Sequence, residues 1–288
     1  MDRDEKIIIF DTTLRDGELM PGVTFTIEEK IEVARLLEAI GIDVIEVSYP
    51  ANSVKDFDEI VAVSQTIERS IICGLASSNP DEILRVAEGI KSAPRGRIHT
   101  YTPVRLKDRS KQERERVISE IAESVSVARD YCPDVEWSAF DATRSEPDFL
   151  CRVVEVAITS GATTINIPDS MGLASPAEFA DLIQMLFNRV PNIDRAVVSV
   201  HCHNDLGMAV DNSIAALNFG TRQIECAING LGARKGNADL EKIVTQIGGN
   251  KNYQPKIEPA LISEVSNLVD RITKKKRNSP SIPSSELL

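Results

Sequence analysis

The sequence lacks several features that would narrow its class at once. It has no CxxC pair, and its five cysteines (Cys73, Cys132, Cys151, Cys202, Cys226) are odd in number and scattered. No disulfide framework is expected, and reduced thiols in a cytoplasmic protein are. Its apolar runs are only strand-sized, so no membrane span is predicted. The start, Met1-Asp2-Arg3-Asp4-Glu5-Lys6, is charged and is followed by no h-region, so no signal peptide is expected. Basic excess is missing too: the formal net charge is −11 and the pI about 4.9. That argues against a nucleic-acid partner, which needs a basic footprint. No solenoid-length repeat is present. Histidine is scarce, with three in the chain.

What is present is a regular alternation. With 42% hydrophobic residues in 288, the chain can bury a large core. Ile7-Ile8-Ile9-Phe10 reads as a first strand ending at Asp11. Thr26-Ile27-Glu28-Glu29 is a capping box opening a helix that Gly41 stops. Strands follow at about Asp43–Tyr49, Ile71–Ala76, Arg97–Thr102, Val135–Ala142, Thr163–Pro168, Ala196–His203 and Gln223–Ile228. The helices between them carry their own start signals. They are expected from Ser53 to about Arg69, from Asn79-Pro80, from Ser110 with Glu113, from Ser145 with Asp148, from Ser175-Pro176 with Glu178, after His203 to about Phe219, and from Asn237 to about Ile247. Strict strand–helix alternation gives parallel strands, and eight such units predict an α/β fold, a (β/α)8 TIM barrel. A doubly wound sheet is the competing architecture, but GxGxxG is absent after strand one. Residues 1–250 would form the barrel. Residues 251–288 would be a short C-terminal extension, either the start of a further subdomain or a natural end. It holds a helix of roughly Pro259–Thr273 with Leu261, Val265, Leu268 and Ile272 on one face, then the basic Lys274–Arg277 turn and a flexible tail.

In such barrels chemistry sits at the C-terminal ends of the strands, and the unusual polar residues fall there. Strand one runs into Asp11-Thr12-Thr13-Leu14-Arg15-Asp16-Gly17-Glu18, and strand two ends near Glu46 and Tyr49. Strand four carries His99 and Tyr101, strand five ends in Asp141-Ala142-Thr143-Arg144, and strand six in Asn166-Ile167-Pro168-Asp169-Ser170. Strand seven ends in His201-Cys202-His203, and strand eight runs into the stretch Asn229 to Asn237. Side chains alternate along a strand, so His201 and His203 share a face. Strands one, seven and eight adjoin in a closed barrel, so Asp11 or Asp16 can meet the two imidazoles on one metal ion. Two histidines and a carboxylate leave coordination positions open. Such an ion can hold and polarise the carbonyl of a 2-oxo acid. Arg15 is placed to stabilise the alkoxide that forms. Glu46 and Asp141 are the other candidate catalytic groups.

Phe10 to Glu18, with His201-Cys202-His203-Asn204-Asp205 and Asn229-Gly230-Leu231-Gly232, resembles the 2-isopropylmalate synthase, homocitrate synthase and HMG-CoA lyase superfamily. Asp141-Ala142-Thr143-Arg144, Thr164 to Asp169, and Gly236-Asn237 make the likeness closest to the 2-isopropylmalate synthase branch. The resemblance implies metal-dependent TIM barrels that make or break a carbon–carbon bond beside an acyl thioester. It implies Asp16, His201 and His203 as ligands of a divalent metal (Zn²⁺, Mn²⁺ or Mg²⁺), with Asn237 a fourth ligand or neighbour. Arg15 would polarise the oxo-acid carbonyl. Ser170, standing where the synthases usually have Thr, would bind the substrate carboxylate, and His99 would line the pocket. Tyr101 and Arg144 are further substrate-binding candidates, and Gly230 and Gly232 would lie near the acyl-CoA. The expected partners are small molecules, a 2-oxo acid and an acyl-CoA, with no nucleic acid and no membrane. A cytoplasmic homodimer in amino-acid biosynthesis is the further implication.

The sequence departs from that pattern at Leu19, where the synthases usually have Gln, at Phe140, where they have Glu, and at Ala233, which interrupts their usual G-E-R. The Glu at the Phe140 position assists proton transfer in the family, and Phe has no proton to move. No His follows His203, whereas the synthases draw a catalytic His from beyond the barrel. Three functions are therefore weighed: condensation of an acyl-CoA with a 2-oxo acid, carbon–carbon cleavage by a lyase or aldolase, and a barrel that only binds metal and oxo acid.

Overall fold

The computed structural model describes residues 6–108, 110–248 and 257–277. Among these, eight parallel strands close into a barrel in the order β1 to β8, with β1 paired to both β2 and β8. The strands are β1 (Ile8–Asp11), β2 (Val44–Ser48), β3 (Ile71–Ser77), β4 (Gly96–Pro103), β5 (Val135–Phe140), β6 (Thr164–Asp169), β7 (Val197–Cys202) and β8 (Gln223–Cys226). Each is followed by a helix: α1 (Ile27–Ile40), α2 (Val54–Ser64), α3 (Pro80–Gly89), α4 (Lys111–Tyr131), α5 (Pro147–Thr159), α6 (Pro176–Arg189), α7 (Ala209–Leu217) and α8 (Leu240–Gly248). A further helix, α9 (Pro259–Arg277), packs against α1. The expected (β/α)8 barrel is the observed one.

Local chemistry accounts for the element ends. The Thr26/Glu29 and Ser175/Glu178 capping boxes both form, and Gly41 closes α1 in the left-handed region at φ 95°. Asn79 caps α3 with Pro80 in its first turn. Some boundaries differ from the sequence reading. Helix α2 stops at Ser64 rather than near Arg69, because the backbone amides of Glu68, Arg69 and Ser70 donate to the Glu38 carboxylate of α1 instead of continuing the helix. Ser145 does not cap α5. Glu146 holds the cap position ahead of Pro147, and the Ser145 hydroxyl donates to the Val104 carbonyl. Helix α8 begins at Leu240, three residues after Asn237, whose side chain is used in the site. The 250/251 domain boundary and the tail beyond Arg277 lie outside the described residues.

The main apolar core fills the ring between barrel and helices, from Ile9 and Val47 on the strands to Leu37, Val125, Phe179 and Ile243 on the helices. Helix α9 joins it through Ile262, Val265, Leu268, Val269 and Ile272. The barrel interior is largely polar. Arg97 donates to Glu136 and Gln223 at 2.8 Å each, and Gln223 donates to Glu136 (2.8 Å) and Ser199 (2.9 Å). A small apolar group (Phe10, Val44, Ile71, Cys73) fills the β1–β3 side of that interior. These four side chains thus partner one another, as low dielectric demands. The plug makes a floor above which the strand ends open.

Candidate metal centre and cavity

The β7 strand ends at Cys202, and His203 continues its alternation through an isolated bridge to Asn237. The rings of His201 and His203 therefore lie on one side, centroids 4.9 Å apart, while Cys202 is buried on the other. Asp16 arrives in a 3-10 turn after β1 (Asp16–Leu19). One ligand atom from each of Asp16, His201 and His203 lies within 4.8 Å of the others. Asn237 spans the group, its Nδ2 donating to Asp16 Oδ2 at 2.7 Å and its Oδ1 lying 3.2 Å from His201 Nε2. This approach needs Gly232: a Cβ there would stand 2.6 Å from the Asn237 side chain.

Glu225, directly opposite His201 in the β7–β8 register, holds His201 Nδ1 at 2.6 Å. This carboxylate–imidazole contact is the usual outer support of a metal-bound His. In a neutral His201 whose Nδ1–H serves Glu225, the Nε2 lone pair faces the Asn237 carbonyl oxygen. Two acceptors face to face are what a cation resolves. His203 Nδ1 is buried with no partner in hydrogen-bond reach. Burial pushes both imidazoles down, His203 to about 4 with help from His201, so both are neutral donors. Burial would raise Asp16, but Arg15 and the two histidines hold it well below the usual carboxylate range. Two neutral imidazoles beside one carboxylate fit a divalent cation.

Arg15 joins this centre to a second polar chain. Its Nη1 donates to Asp16 Oδ1 (2.8 Å) and its Nε to Glu46 Oε2 (2.7 Å). Glu46 Oε1 meets His99 Nδ1 at 2.8 Å, and His99 Nε2 meets Ser138 Oγ at 2.7 Å. Burial opposes charge on both partners, yet Arg15 and His99 hold Glu46 low and Glu46 holds His99 high. Ser170 Oγ accepts from the Asp141 amide at 2.9 Å, which leaves its hydroxyl proton free to donate.

These groups surround a cavity of about 550 Å³, lined by Arg15, Asp16, His99, Tyr101, Ser170, His201 and His203 among others. Other expected residues stand elsewhere. Glu46 lies behind Arg15 and His99, and Asn237 behind the triad. Asp141 and Arg144 bind each other through two hydrogen bonds, of 2.7 and 2.6 Å, outside the lining. Gly230 and Gly232 shape their loop rather than the cavity wall, which takes Ala233 and Arg234 from it. Arg234 ties that loop to its neighbours, donating to both Asp205 oxygens and to the Ser170 carbonyl. Glu225 and Ser138 were missed by the sequence reading. Their signal was period-two placement of polar residues inside barrel strands, weak beside the rim motifs.

Asp11, the alternative carboxylate, is turned away. Its oxygens accept from the Thr13 amide and hydroxyl at 2.9 Å each. Burial raises its pKa from 3.8 to about 7 against those two donors. A carboxyl raised on folding stabilises below its unfolded pKa, and that share is lost as pH climbs through the folded value. Measured against Asp11→Asn by urea unfolding, the wild type should therefore lose stability from pH 4 to pH 7, by up to about 1.4 kcal/mol per pH unit. Parallel stability–pH curves for the two proteins would refute the assignment.

Comparison with known proteins agrees with the geometry. Residues 6–269 match the HMGL-like family profile. The chain is 49% identical over 275 residues to a 2-isopropylmalate synthase of Rhodopseudomonas palustris, covering 93% of this chain and 52% of that protein. It is 47% identical to the 2-isopropylmalate synthase of Methylorubrum populi, covering 92% and 52%. The chain thus spans about half the length of the curated relatives it matches. Among solved structures, an HMG-CoA lyase from A. baumannii in complex with coenzyme A and 3-methylmalate superposes with TM-score 0.77 at 16% identity, covering 95% of this chain and 93% of that one. That likeness is one of fold. No described helix is long and apolar enough to cross a membrane. With the barrel closed, the His–Asp cluster at its C-terminal mouth and the profile matched across residues 6–269, the chain belongs to the HMGL-like family, an enzyme superfamily.

Proposed function

We propose that this chain carries the active site for a metal-dependent aldol or Claisen-type condensation of an acyl-CoA with a 2-oxo acid, as in 2-isopropylmalate synthases. The observation that carries the reading is the convergence of Asp16, His201 and His203 beside the Arg15 guanidinium at one mouth of the barrel. A divalent cation held there (Zn²⁺, Mn²⁺ or Mg²⁺) would supply Lewis-acid polarisation of a carbonyl. The chain's own groups do the rest. Arg15, fixed by Glu46 and Asp16, presents its remaining guanidinium N–H to an oxygen that gains negative charge, and its position is set before reaction. The Ser170 hydroxyl, accepting from Asp141, donates to the substrate carboxylate. The Glu46–His99–Ser138 chain fixes the His99 ring beneath the oxo acid, in a site closed by the polar plug. Phe140 takes no part in proton transfer. A homodimer in the cytoplasm and a place in amino-acid biosynthesis go with this reading.

Thiol release from acetyl-CoA with a panel of 2-oxo acids, in metal-loaded protein, is the test. Turnover with at least one oxo acid is expected. Silence with all of them, together with cleavage of a 3-hydroxyacyl thioester, would replace condensation by the lyase reading.

A further inference from the structure

Three aromatic rings make a continuous wall on the cavity side that faces the metal centre. In a ring of eight strands, β3, β4 and β5 stand opposite β7, β8 and β1. Along β5, Glu136, Ser138 and Phe140 point inward by alternation; the first two are buried, while Phe140 stays 45% exposed and lines the cavity. Tyr101, next inward after His99 on β4, meets Phe140 at 6.1 Å between centroids and 57°. Tyr49 meets Tyr101 edge-on at 6.5 Å and 85°. The Tyr49 hydroxyl is engaged by Glu82 and by the Ser77 amide, so its ring, not its polar tip, is what the wall offers. Leu75 and Pro103 complete the surface. Beyond His99 and Ser138, the lining side chains of β4 and β5 are carbon-rich, and their one polar atom, the Tyr101 hydroxyl, interacts with the Tyr49 hydroxyl. A phenyl ring half in water, at the mouth end of an otherwise buried column, has apolar area left to cover.

We propose that this wall receives the side chain of the 2-oxo acid and selects a large apolar one, aryl before branched aliphatic, over a short or charged one. The inference rests on the reading that the site binds a 2-oxo acid through its carboxylate and carbonyl end. With that end beside Arg15 and Ser170, the side chain extends across the barrel mouth to Tyr101 and Phe140. An aryl group there gains offset or edge contacts with rings already in edge geometry, beyond the area it buries. A second carboxylate, as in a dicarboxylic oxo acid, would meet carbon where it needs a donor, and an unpaired charge in such a place binds poorly. A cavity of about 550 Å³ has room for such a group.

The test is calorimetric titration of the Mn²⁺-loaded protein with phenylpyruvate, 4-methyl-2-oxopentanoate, pyruvate and 2-oxoglutarate. The expected order of affinity is the order given for the first three, with phenylpyruvate at least about tenfold tighter than pyruvate and 2-oxoglutarate no tighter than pyruvate. Phe140→Ala should shrink the phenylpyruvate-to-pyruvate ratio about tenfold, and Phe140→Glu should shrink it further. Because Phe140 is half exposed, neither change threatens the fold. Equal affinities, a preference for 2-oxoglutarate, or a ratio unmoved by Phe140→Ala would overturn the side-chain assignment while leaving oxo-acid binding intact. No binding of any of the four by protein shown to hold Mn²⁺ would overturn both readings.

Discussion

Alanine at both His201 and His203 is expected to abolish divalent-metal uptake and, with it, any turnover. Three side chains supply the donor set, and the two imidazoles are its neutral nitrogens. Loss of an outer partner of a metal ligand costs about 10–100-fold in affinity, and removal of the ligands themselves should exceed that. Asp16 alone, already engaged by Arg15, Asn237 and the Ala233 amide, cannot hold an ion in competition with water. The check is metal content after dialysis against Zn²⁺, Mn²⁺ or Mg²⁺, with far-UV circular dichroism confirming the fold. His203→Ala is the cleaner single change, because His203 Nδ1 has no partner to orphan. His201→Ala strands the Glu225 carboxyl, which burial has raised to about 7. Near pH 6 that group can take up a proton and stay neutral, so the measurement is best made there. Stoichiometric metal in the double variant would remove the basis for carbon–carbon chemistry at this mouth.

Lys30→Met should be the most destabilising single substitution of the set, costing about 3–5 kcal/mol. Lys30 lies on α1 with a side chain 0% exposed. Its ammonium donates to the Leu14 and Val47 carbonyls at 2.8 Å each and pairs with Glu18 and Glu59 at 2.7 Å each. Glu59 is equally buried, and without Lys30 its one remaining ion-pair partner among the described residues is the half-exposed Lys55 at 3.0 Å. Breaking a buried pair by removing one partner leaves an uncompensated charge, which is why the cost exceeds that of any surface pair. A fall in Tm on the order of 10 °C follows for a domain of this size. The double variant Lys30→Met/Glu59→Leu should recover much of the loss, since the charge left behind is gone. Urea unfolding of the two variants checks both statements, and a cost under about 1 kcal/mol for Lys30→Met would show that the network carries little. The change should also weaken metal binding, because the Leu14 carbonyl immediately precedes Arg15 and Asp16.

Most of the architecture was legible from the chain alone, and particular elements show why. Capping boxes such as Thr26/Glu29 and Ser175/Glu178 are local: the residues that satisfy the first amides of a helix are its neighbours in sequence. The helix ends that moved are those set by distant partners. Glu38 captured the amides after α2, and the Val104 carbonyl captured the Ser145 hydroxyl expected to cap α5. The same division runs through the site. His201 and His203 share a face by strand alternation, so their pairing was readable. The choice of Asp16 over Asp11 was not readable from spacing, because both follow β1 closely, and only the Thr13 turn and the reach of Asn237 separate them.

The sequence by itself determined the eight-fold alternation, the closed barrel it implies, the rim on which polar residues gather and the two imidazoles at its mouth. These depend on periodicity and on caps a few residues long. Tertiary structure alone decided which side chains complete the site. It placed Glu225 behind His201, the Glu46–His99–Ser138 chain beneath the cavity and the Tyr49–Tyr101–Phe140 wall across from the triad. Those partners come from strands tens to hundreds of residues apart, and inter-strand register, not local propensity, sets which of them meet.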